Sequence, residues 1–266
     1  DSHFAGYAPL FGAWGGLGSL TGYSDGPPVE IRHVMDHSVG LNASAALMGA
    51  LHRRRRTGKG GHVDVAAREV AASLIGDQLL LAAAGGTPER IGNRHPRMAP
   101  YGVYRAAGDD RWLALSVADD AQWSALAEAM NKPELASDVR FATGQARQAN
   151  RDTLDASVTE WTERQEPNAA AEILQKAGIG AHASATPPEI AADTHLKERS
   201  AIVEVSEPDG KKRAAVGVPM RMSKGDEIGI ERGTPALGEH EDYVFGELLG
   251  LGKNERQALE EAEIIY

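Results

Sequence analysis

The 266-residue sequence contains no cysteine. Disulfide bonds, thiolate nucleophiles and cysteine-ligated zinc sites are therefore excluded. Aromatic residues make up only 5% of the chain, whereas there are 30 glycines, so small side chains and glycine-turned loops dominate. No run approaches the roughly 18 uninterrupted apolar residues of a membrane-spanning helix, and no signal-peptide pattern opens the chain. These absences predict a cytoplasmic protein with no membrane segment.

An excess of basic charge is also missing. The formal net charge is −10 and the isoelectric point is about 5.4, which argues against a protein that binds nucleic acid through a basic face. The charge is uneven, because residues 1–100 carry ten Lys and Arg against eight Asp and Glu, and residues 101–266 carry 18 against 30. An anionic ligand is therefore expected to meet the first part of the chain.

The length suits one large domain or two modest ones, at roughly 100–200 residues each. The chain begins at Asp1, without methionine, and runs at once into the glycine-rich, apolar segment Phe4–Gly22. This beginning resembles the middle of a domain. We therefore expect a processed, split or incomplete chain, in which other structure packs on the glycine-rich segment.

Hydrophobic periodicity and turn residues predict a largely helical first part. Asp36 is predicted to cap a helix that runs from His37 to about Arg56, where Gly58 ends it. A short strand over His62–Val65 and a second long helix over residues 66–84 follow. The loop 87–100 is rich in Pro, Gly and Asn and marks a domain boundary.

Beyond this loop the pattern predicts a hairpin of Tyr101–Ala106 and Arg111–Val117, turned at residues 107–110. A second hairpin joins Ile202–Ser206 to Arg213–Val218 through Pro208-Asp209-Gly210. The other predicted elements are a strand at Gly180–Ala185 and helices near 120–130, 145–163, 167–177, 188–194, 239–249 and 253–261.

The common catalytic and nucleotide-binding motifs do not fit this sequence. Neither G-x-G-x-x-G nor a phosphate loop matches, and there is no G-x-S-x-G or H-E-x-x-H. His33, Asp36 and His37 resemble half a metal site, but capping and packing explain them, and no metal is predicted. The run Arg53–Arg56 either holds phosphates or nucleic acid or forms a solvated helix end. The triplet His240-Glu241-Asp242 suits the first turn of a helix.

Several short strings follow one another along the chain. The first part contains GYAPLFGAWGGLGSLTG at Gly6–Gly22, then Asp36, Gly40, Ala46, Leu47, Ala50 and Leu51, and then RTGKG at Arg56–Gly60 with Val63-Asp64-Val65. The later parts contain GNRHP at Gly92–Pro96 with APYGVY at Ala99–Tyr104, then Arg140-Phe141, Arg147 and Asn150-Arg151, and finally His195-Leu196, Arg199, Pro219 and Leu237–His240. In this order they resemble the family III CoA-transferases, which include formyl-CoA transferase, carnitine CoA-transferase and the alpha-methylacyl-CoA racemases. The match lacks about the first third of the family pattern.

The resemblance implies an α/β fold. Residues 1–90 would form part of a Rossmann-like, CoA-binding large domain, residues 91–200 a smaller α+β domain, and residues 201–266 a C-terminal return to the large domain. It also implies an interlocked dimer, in which two chains thread through each other. The partner would be a homo- or hetero-oligomeric chain that supplies the N-terminal half or a catalytic aspartate.

The resemblance further implies transfer of coenzyme A from an acyl-CoA to a carboxylic acid, through a carboxylate nucleophile and covalent intermediates. In the family this aspartate follows a Gly-Tyr-like pair, but here Gly6-Tyr7 is followed by Ala8. The catalytic residue of this chain is therefore unknown, although Gly6, Tyr7 and Ala8 are expected beside the substrate.

Four interpretations stay open. A partner chain could carry the aspartate, or another carboxylate of this chain could replace it, with Asp25, Glu30 and Asp36 as the nearest candidates. Asp25 is also a typical turn residue and Asp36 a typical cap. Alternatively, the chain is a non-catalytic CoA-ester-binding or scaffold subunit, or a racemase-like enzyme.

The loop before the first hairpin is the second candidate site. Asn93, His95, Pro100 and Tyr101 lie at the predicted domain boundary, where ligand sites are common. In the family this loop lies over the active site, so contact with the substrate or CoA is implied. The alternative is a linker whose Asn and Pro residues shape turns. His95 is also a candidate general base.

Overall fold

The computed structural model describes residues 5–31, 33–224, 229–230 and 232–265. These residues form two compact units, one up to Ser184 and one from Ala185 onwards. The predicted three-part division, with boundaries after residues 90 and 200, stays a prediction. Within the described part of the chain, no helix is long and apolar enough to cross a membrane.

The first unit begins with five helices. They are α1 (Ala8–Trp14), α2 (Leu17–Leu20), α3 (Val34–Thr57), α4 (Ala67–Ser73) and α5 (Gly76–Ala83). Helices α1, α3 and α4 meet around a small core of Ala8, Met35, Val70 and Ala71. Gly15 is required at the contact of α1 with α4, because a Cβ there would overlap the Cβ of Ala71 and lie 2.9 Å from the Arg68 carbonyl oxygen.

Helix α3 begins three residues before the predicted start, so Asp36 lies in its first turn and His33 is the capping residue. Gly58 ends the helix in a left-handed conformation, with φ of 70°. The strand predicted at His62–Val65 is wrong, because this segment is irregular and pairs with no strand in the part that the structure describes. The long helix predicted over residues 66–84 is interrupted at Leu74 and Ile75.

The rest of the first unit is a three-stranded sheet covered by helices. Its elements are β1 (Tyr101–Arg105), β2 (Trp112–Ser116), α6 (Asp120–Ala129), α7 (Glu134–Ser137), α8 (Gly144–Ala149), α9 (Arg151–Thr162), α10 (Pro167–Lys176) and β3 (Gly180–Ala183). The strands are antiparallel in the order β1-β2-β3, so the predicted hairpin of β1 and β2 is confirmed. The helix predicted over residues 145–163 is divided at Asn150, whose φ and ψ of −111° and 28° depart from helical values.

Strand register separates the two faces of this sheet. Tyr104, Leu113, Leu115 and Ala183 are buried on one face, against helices that contribute most of the core. The core includes Trp123, Leu126, Phe141, Leu154, Val158, Trp161 and Leu174. The residues between them in sequence point to the other face, because side chains alternate along a strand.

The second unit contains α11 (Pro187–Ala192), α12 (Thr194–Glu198), β4 (Ile202–Ser206), β5 (Lys212–Val216), a π-helix (Asp242–Leu248) and α13 (Lys253–Glu261). Strands β4 and β5 pair antiparallel, with Ile202 opposite Val216, which confirms the second predicted hairpin. The mixed α/β fold class is confirmed. The named strands pair only in antiparallel fashion, and the Rossmann-like half and the interlocked dimer stay predictions.

Candidate functional site

The loop that precedes β1 is fastened to the segment after α2. The guanidinium of Arg90 donates hydrogen bonds to three carbonyl oxygens, those of Ser19 at 3.3 Å, Tyr23 at 3.3 Å and Gly26 at 3.0 Å. Gly92 has a φ of 58°, and a Cβ there would lie 2.5 Å from the ring of Tyr23. Glycine is therefore required for both the turn and the close approach.

Asn93 also connects this loop to the segment after α2, since its side-chain amide donates a hydrogen bond to the hydroxyl of Tyr23 at 3.0 Å. The next residues turn back towards β1. Nδ1 of His95 accepts hydrogen bonds from the backbone N–H groups of Arg97 and Met98, both at 3.1 Å. The neutral ring therefore carries its proton on Nε2, from which it can donate to a ligand. In this state His95 is a hydrogen-bond donor rather than a general base.

Arg151, at the start of α9, holds this loop in place through hydrogen bonds. Its side chain is 6% exposed, and it donates to the carbonyl oxygens of His95 at 3.1 Å and Tyr101 at 2.6 Å. Gln148 adds bonds to the carbonyl oxygens of Met98 at 2.9 Å and His95 at 3.2 Å. The rings of His95 and Tyr101 lie 5.1 Å apart between centroids. A buried cation thus fixes the relative positions of the two residues.

Tyr104 and Asp155 form a second polar pair, which contacts Arg151. The hydroxyl of Tyr104 donates to Oδ1 of Asp155 at 2.7 Å, and Oδ2 of Asp155 lies 3.5 Å from Nε of Arg151. Burial raises the pKa of Tyr104 far above its usual value, and the charge of Asp155 raises it further. The phenol therefore stays protonated and serves as a donor.

Two cavities meet at this loop. The larger, of about 740 Å³, is lined by Asn93, His95 and Tyr101 together with Tyr23 and Asp25. The smaller, of about 550 Å³, shares Asn93 and Tyr101 and extends over the sheet face that the core does not cover. That face presents Val103, Ala114, Ser116, Gly180 and His182.

The site is rich in hydrogen-bond donors. Asn93, Tyr101 and His95 each offer a neutral N–H or O–H group, which suits the oxygens of a thioester carbonyl or a carboxylate. Arg94 lies between the cavities and forms an ion pair with Asp152. Within the described ranges, no three His, Asp or Glu side chains are arranged to hold a metal ion.

The remaining predicted residues lie elsewhere. Tyr7 is 71% exposed and precedes α1, next to the exposed Gly6, whereas Ala8 is buried as the first residue of the helix. None of the three lines either cavity. Pro100 is buried, and its carbonyl accepts the N–H of Val117 at 2.9 Å, so it anchors β1 rather than facing the cavities.

Tyr23, Arg90, Tyr104 and Asp155 were not predicted as site residues. Arg90 reaches partners 64 to 71 positions earlier in the chain, and Tyr104 reaches a partner 51 positions later. Such separations leave no periodic signal in a single sequence. The resemblance did include Arg151, but only as a matching residue without a role.

Comparison with known proteins places this chain in a family. The model of CoA-transferase family III matches residues 1–241. The succinyl-CoA–D-citramalate CoA-transferase of Chloroflexus aurantiacus is 33% identical over 265 residues, covering 98% of this chain and 65% of the relative. The succinate–glutarate CoA-transferase of Agrobacterium fabrum is 31% identical, covering 92% of this chain and 61% of the relative.

The fold agrees with this relationship. The crystal structure of a CaiB/BaiF family protein from Brucella suis superposes with a TM-score of 0.81 at 32% identity, covering 92% of this chain and 63% of that one. The chain thus spans 61–65% of the length of these relatives. On the match of 241 residues and the shared fold, the chain belongs to CoA-transferase family III.

Proposed function

We propose that this chain forms part of a CoA-transferase, which moves coenzyme A from an acyl-CoA thioester to a carboxylic acid. The observation that carries the proposal is the family match over residues 1–241. The named relatives act with succinyl-CoA, D-citramalate, succinate and glutarate, all of them dicarboxylic acids or their thioesters. A short dicarboxylic acid is therefore the proposed acceptor.

The loop and the sheet edge supply the proposed contacts with the substrate. Asn93, His95 and Tyr101 direct neutral donors into joined cavities, where they would bind the carbonyl and carboxylate oxygens of the two substrates. Donors fixed before binding stabilise developing negative charge without reorganisation. The buried Arg151 fixes two of these residues through their backbone carbonyls, so the geometry is set by the core.

A partner chain is part of the proposal. Helix α3 has a single buried residue, Met35, and exposes Leu41, Leu47, Met48 and Leu51 along its length. Apolar residues in such number on one helix favour contact with another protein surface. We propose a homo- or hetero-oligomer in which a partner chain covers the exposed apolar residues of α3.

The test is a CoA exchange assay on the purified protein with every chain that co-purifies. Succinyl-CoA and one candidate dicarboxylic acid are mixed with it, and new CoA thioesters are separated and weighed by mass spectrometry. Tyr101→Phe is expected to lower kcat/KM about tenfold or more, since it removes one donor to the reacting oxygens. Tyr243→Phe, at an exposed tyrosine of the π-helix, is the matched control and should leave the rate unchanged.

Two results would contradict the proposal. Tight binding of CoA esters without any exchange would assign a non-catalytic, CoA-ester-binding role. Inversion of a 2-methylacyl-CoA without transfer to an acid would instead assign racemase-like chemistry.

A further inference from the structure

The two joined cavities differ in the charge of their walls. The larger cavity is lined by three arginines and three acidic residues, namely Arg90, Arg94, Arg151, Asp25, Glu89 and Asp155. The smaller cavity has one charged side chain of the Lys, Arg, Asp or Glu type among its described lining residues, that of Arg94. The smaller cavity therefore has an excess of positive charge, which suits a small anion.

Arg94 also differs from the other two arginines in what its guanidinium contacts. Arg90 donates to three backbone carbonyl oxygens, and the buried Arg151 donates to two more, so both hold the loop in place. Within the described ranges, the hydrogen-bond and ion-pair partner of the Arg94 side chain is Asp152, a residue that lines neither cavity. Arg94 is thus the arginine of this site whose charge is not committed to the backbone.

The ion pair of Arg94 with Asp152 is readily exchanged for another one. The two side chains are 56% and 85% exposed, and solvent screens an ion pair at such a position. The planar guanidinium of arginine binds a carboxylate through two parallel N–H groups. A ligand carboxylate that enters the smaller cavity can therefore take the place of Asp152 at little cost in stability.

The neighbours of Arg94 supply a different kind of contact. Asn93 and His95 flank it in the loop, and both line the larger cavity with neutral donors. A dicarboxylic acid has one group for each kind of donor. Its reacting carboxyl loses its charge when it becomes a thioester, whereas its distal carboxylate stays ionised throughout. Neutral donors suit the first group, and a permanent cation such as arginine suits the second.

The floor of the smaller cavity leaves space for this second group. Ser116 of β2 lies opposite Gly180 of β3, and both line the cavity. A Cβ at position 180 would lie 2.9 Å from Oγ of Ser116. Glycine therefore keeps the serine hydroxyl accessible from the cavity.

We propose that Arg94 determines the acceptor specificity of this chain by binding the distal carboxylate of a dicarboxylic acid in the smaller cavity. This inference rests on the proposed CoA-transferase function and names a residue that would select its substrate class. The carboxylate displaces Asp152 and forms no covalent bond, so Arg94 acts in binding rather than in the chemical step. The consequence is a preference for a dicarboxylic acid over a monocarboxylic acid of the same chain length.

The first experiment compares two acceptors of equal length, glutarate and pentanoate. The unaltered protein and Arg94→Met, each with any co-purifying chain, are assayed for CoA exchange at saturating succinyl-CoA. Arg94→Met should lower kcat/KM for glutarate about tenfold to a hundredfold through KM, because it removes a charged hydrogen-bond donor, and should leave kcat/KM for pentanoate unchanged. Arg164→Met is the matched control, since it removes the same charge and an exposed ion pair away from both cavities. It should leave both values unchanged.

The second experiment removes the competing carboxylate. Asp152→Asn should raise kcat/KM for glutarate about twofold to fivefold, because Arg94 no longer has to leave an ion pair. A purely structural role of the ion pair would instead make the two variants act in the same direction. Thermal unfolding of each variant shows that it is folded, and Asp152→Asn decides the question if Arg94→Met is not. An unchanged or lower kcat/KM in Asp152→Asn would overturn the proposal.

The outcomes separate this proposal from the proposed function. Exchange that Arg94→Met leaves unchanged, or lowers equally for both acids, would overturn the role of Arg94 while leaving the transferase function intact. If the unaltered protein exchanges CoA with neither acid, calorimetry with glutarate alone decides the role of Arg94. Binding that Arg94→Met weakens would support the carboxylate site without the transferase function. Binding that Arg94→Met does not weaken, or no binding at all, would overturn the carboxylate site as well.

Discussion

Replacement of Arg151 by methionine tests how the core fixes the candidate site. Methionine keeps the apolar stem but removes the donors to the carbonyl oxygens of His95 and Tyr101. Hydrogen bonds from a charged group contribute about 1.5–3 kcal/mol each, so the two together are worth roughly 3–6 kcal/mol. With a loss of about 4 kcal/mol and an m-value of about 2 kcal/mol/M, the urea midpoint should fall by about 2 M.

The assay is equilibrium unfolding in urea, followed by the fluorescence of Trp123 and Trp161 in the core of the same unit. Arg164→Met is the matched control, because that side chain is 72% exposed and its ion pair with Glu160 is screened by solvent. Its midpoint should stay close to that of the unaltered protein. An Arg151→Met midpoint that falls no further than the control's, at an unchanged m-value, would refute the assignment of Arg151 as the support of this loop.

Three further predictions follow from buried or close contacts. Burial raises the pKa of Tyr104 in the folded state. The contribution of the protonated phenol to the free energy of unfolding is therefore complete below about pH 10 and declines as the pH rises further. Urea unfolding between about pH 8 and 11 should therefore show a steeper alkaline loss than in Tyr104→Phe, and parallel curves would contradict the burial argument. Gly15→Ala should lower the free energy of unfolding by about 1–3 kcal/mol through overlap with Ala71, measured by thermal unfolding, and a neutral result would mean that α1 and α4 separate freely. Gly92→Ala should weaken binding of a CoA ester in calorimetry because it displaces the ring of Tyr23, and unchanged affinity would separate this loop from the ligand site.

Local signals predicted the elements of the sheet well. Both hairpins follow from short apolar runs around turn residues, and β1 and β2 were placed within a residue or two of their observed bounds. The helix boundaries were less accurate, since α3 begins earlier than the cap at Asp36 suggested. The segment His62–Val65 shows the limit of such signals, because a strand needs a partner and a single sequence does not show one.

The candidate site, too, could be predicted from the sequence only in part. Asn93, His95 and Tyr101 were predicted from their polarity and their place at a boundary, and the structure brings them to one cavity. The tautomer of His95 depends on two backbone N–H groups, which only the folded loop places.

Helix α3 has a consequence for the dynamics of the chain. It has 24 residues, includes Gly40 and Gly49, and buries only Met35 against its neighbours, so little packing energy opposes the opening of its turns. Glycine inside a helix costs roughly 1 kcal/mol relative to alanine, which weakens it further. Its amide hydrogens should therefore exchange with solvent much faster than those of β2, whose alternate residues are buried in the core. If the proposed partner covers the helix, that exchange should slow along the apolar positions, so the protection pattern would map the contact residue by residue.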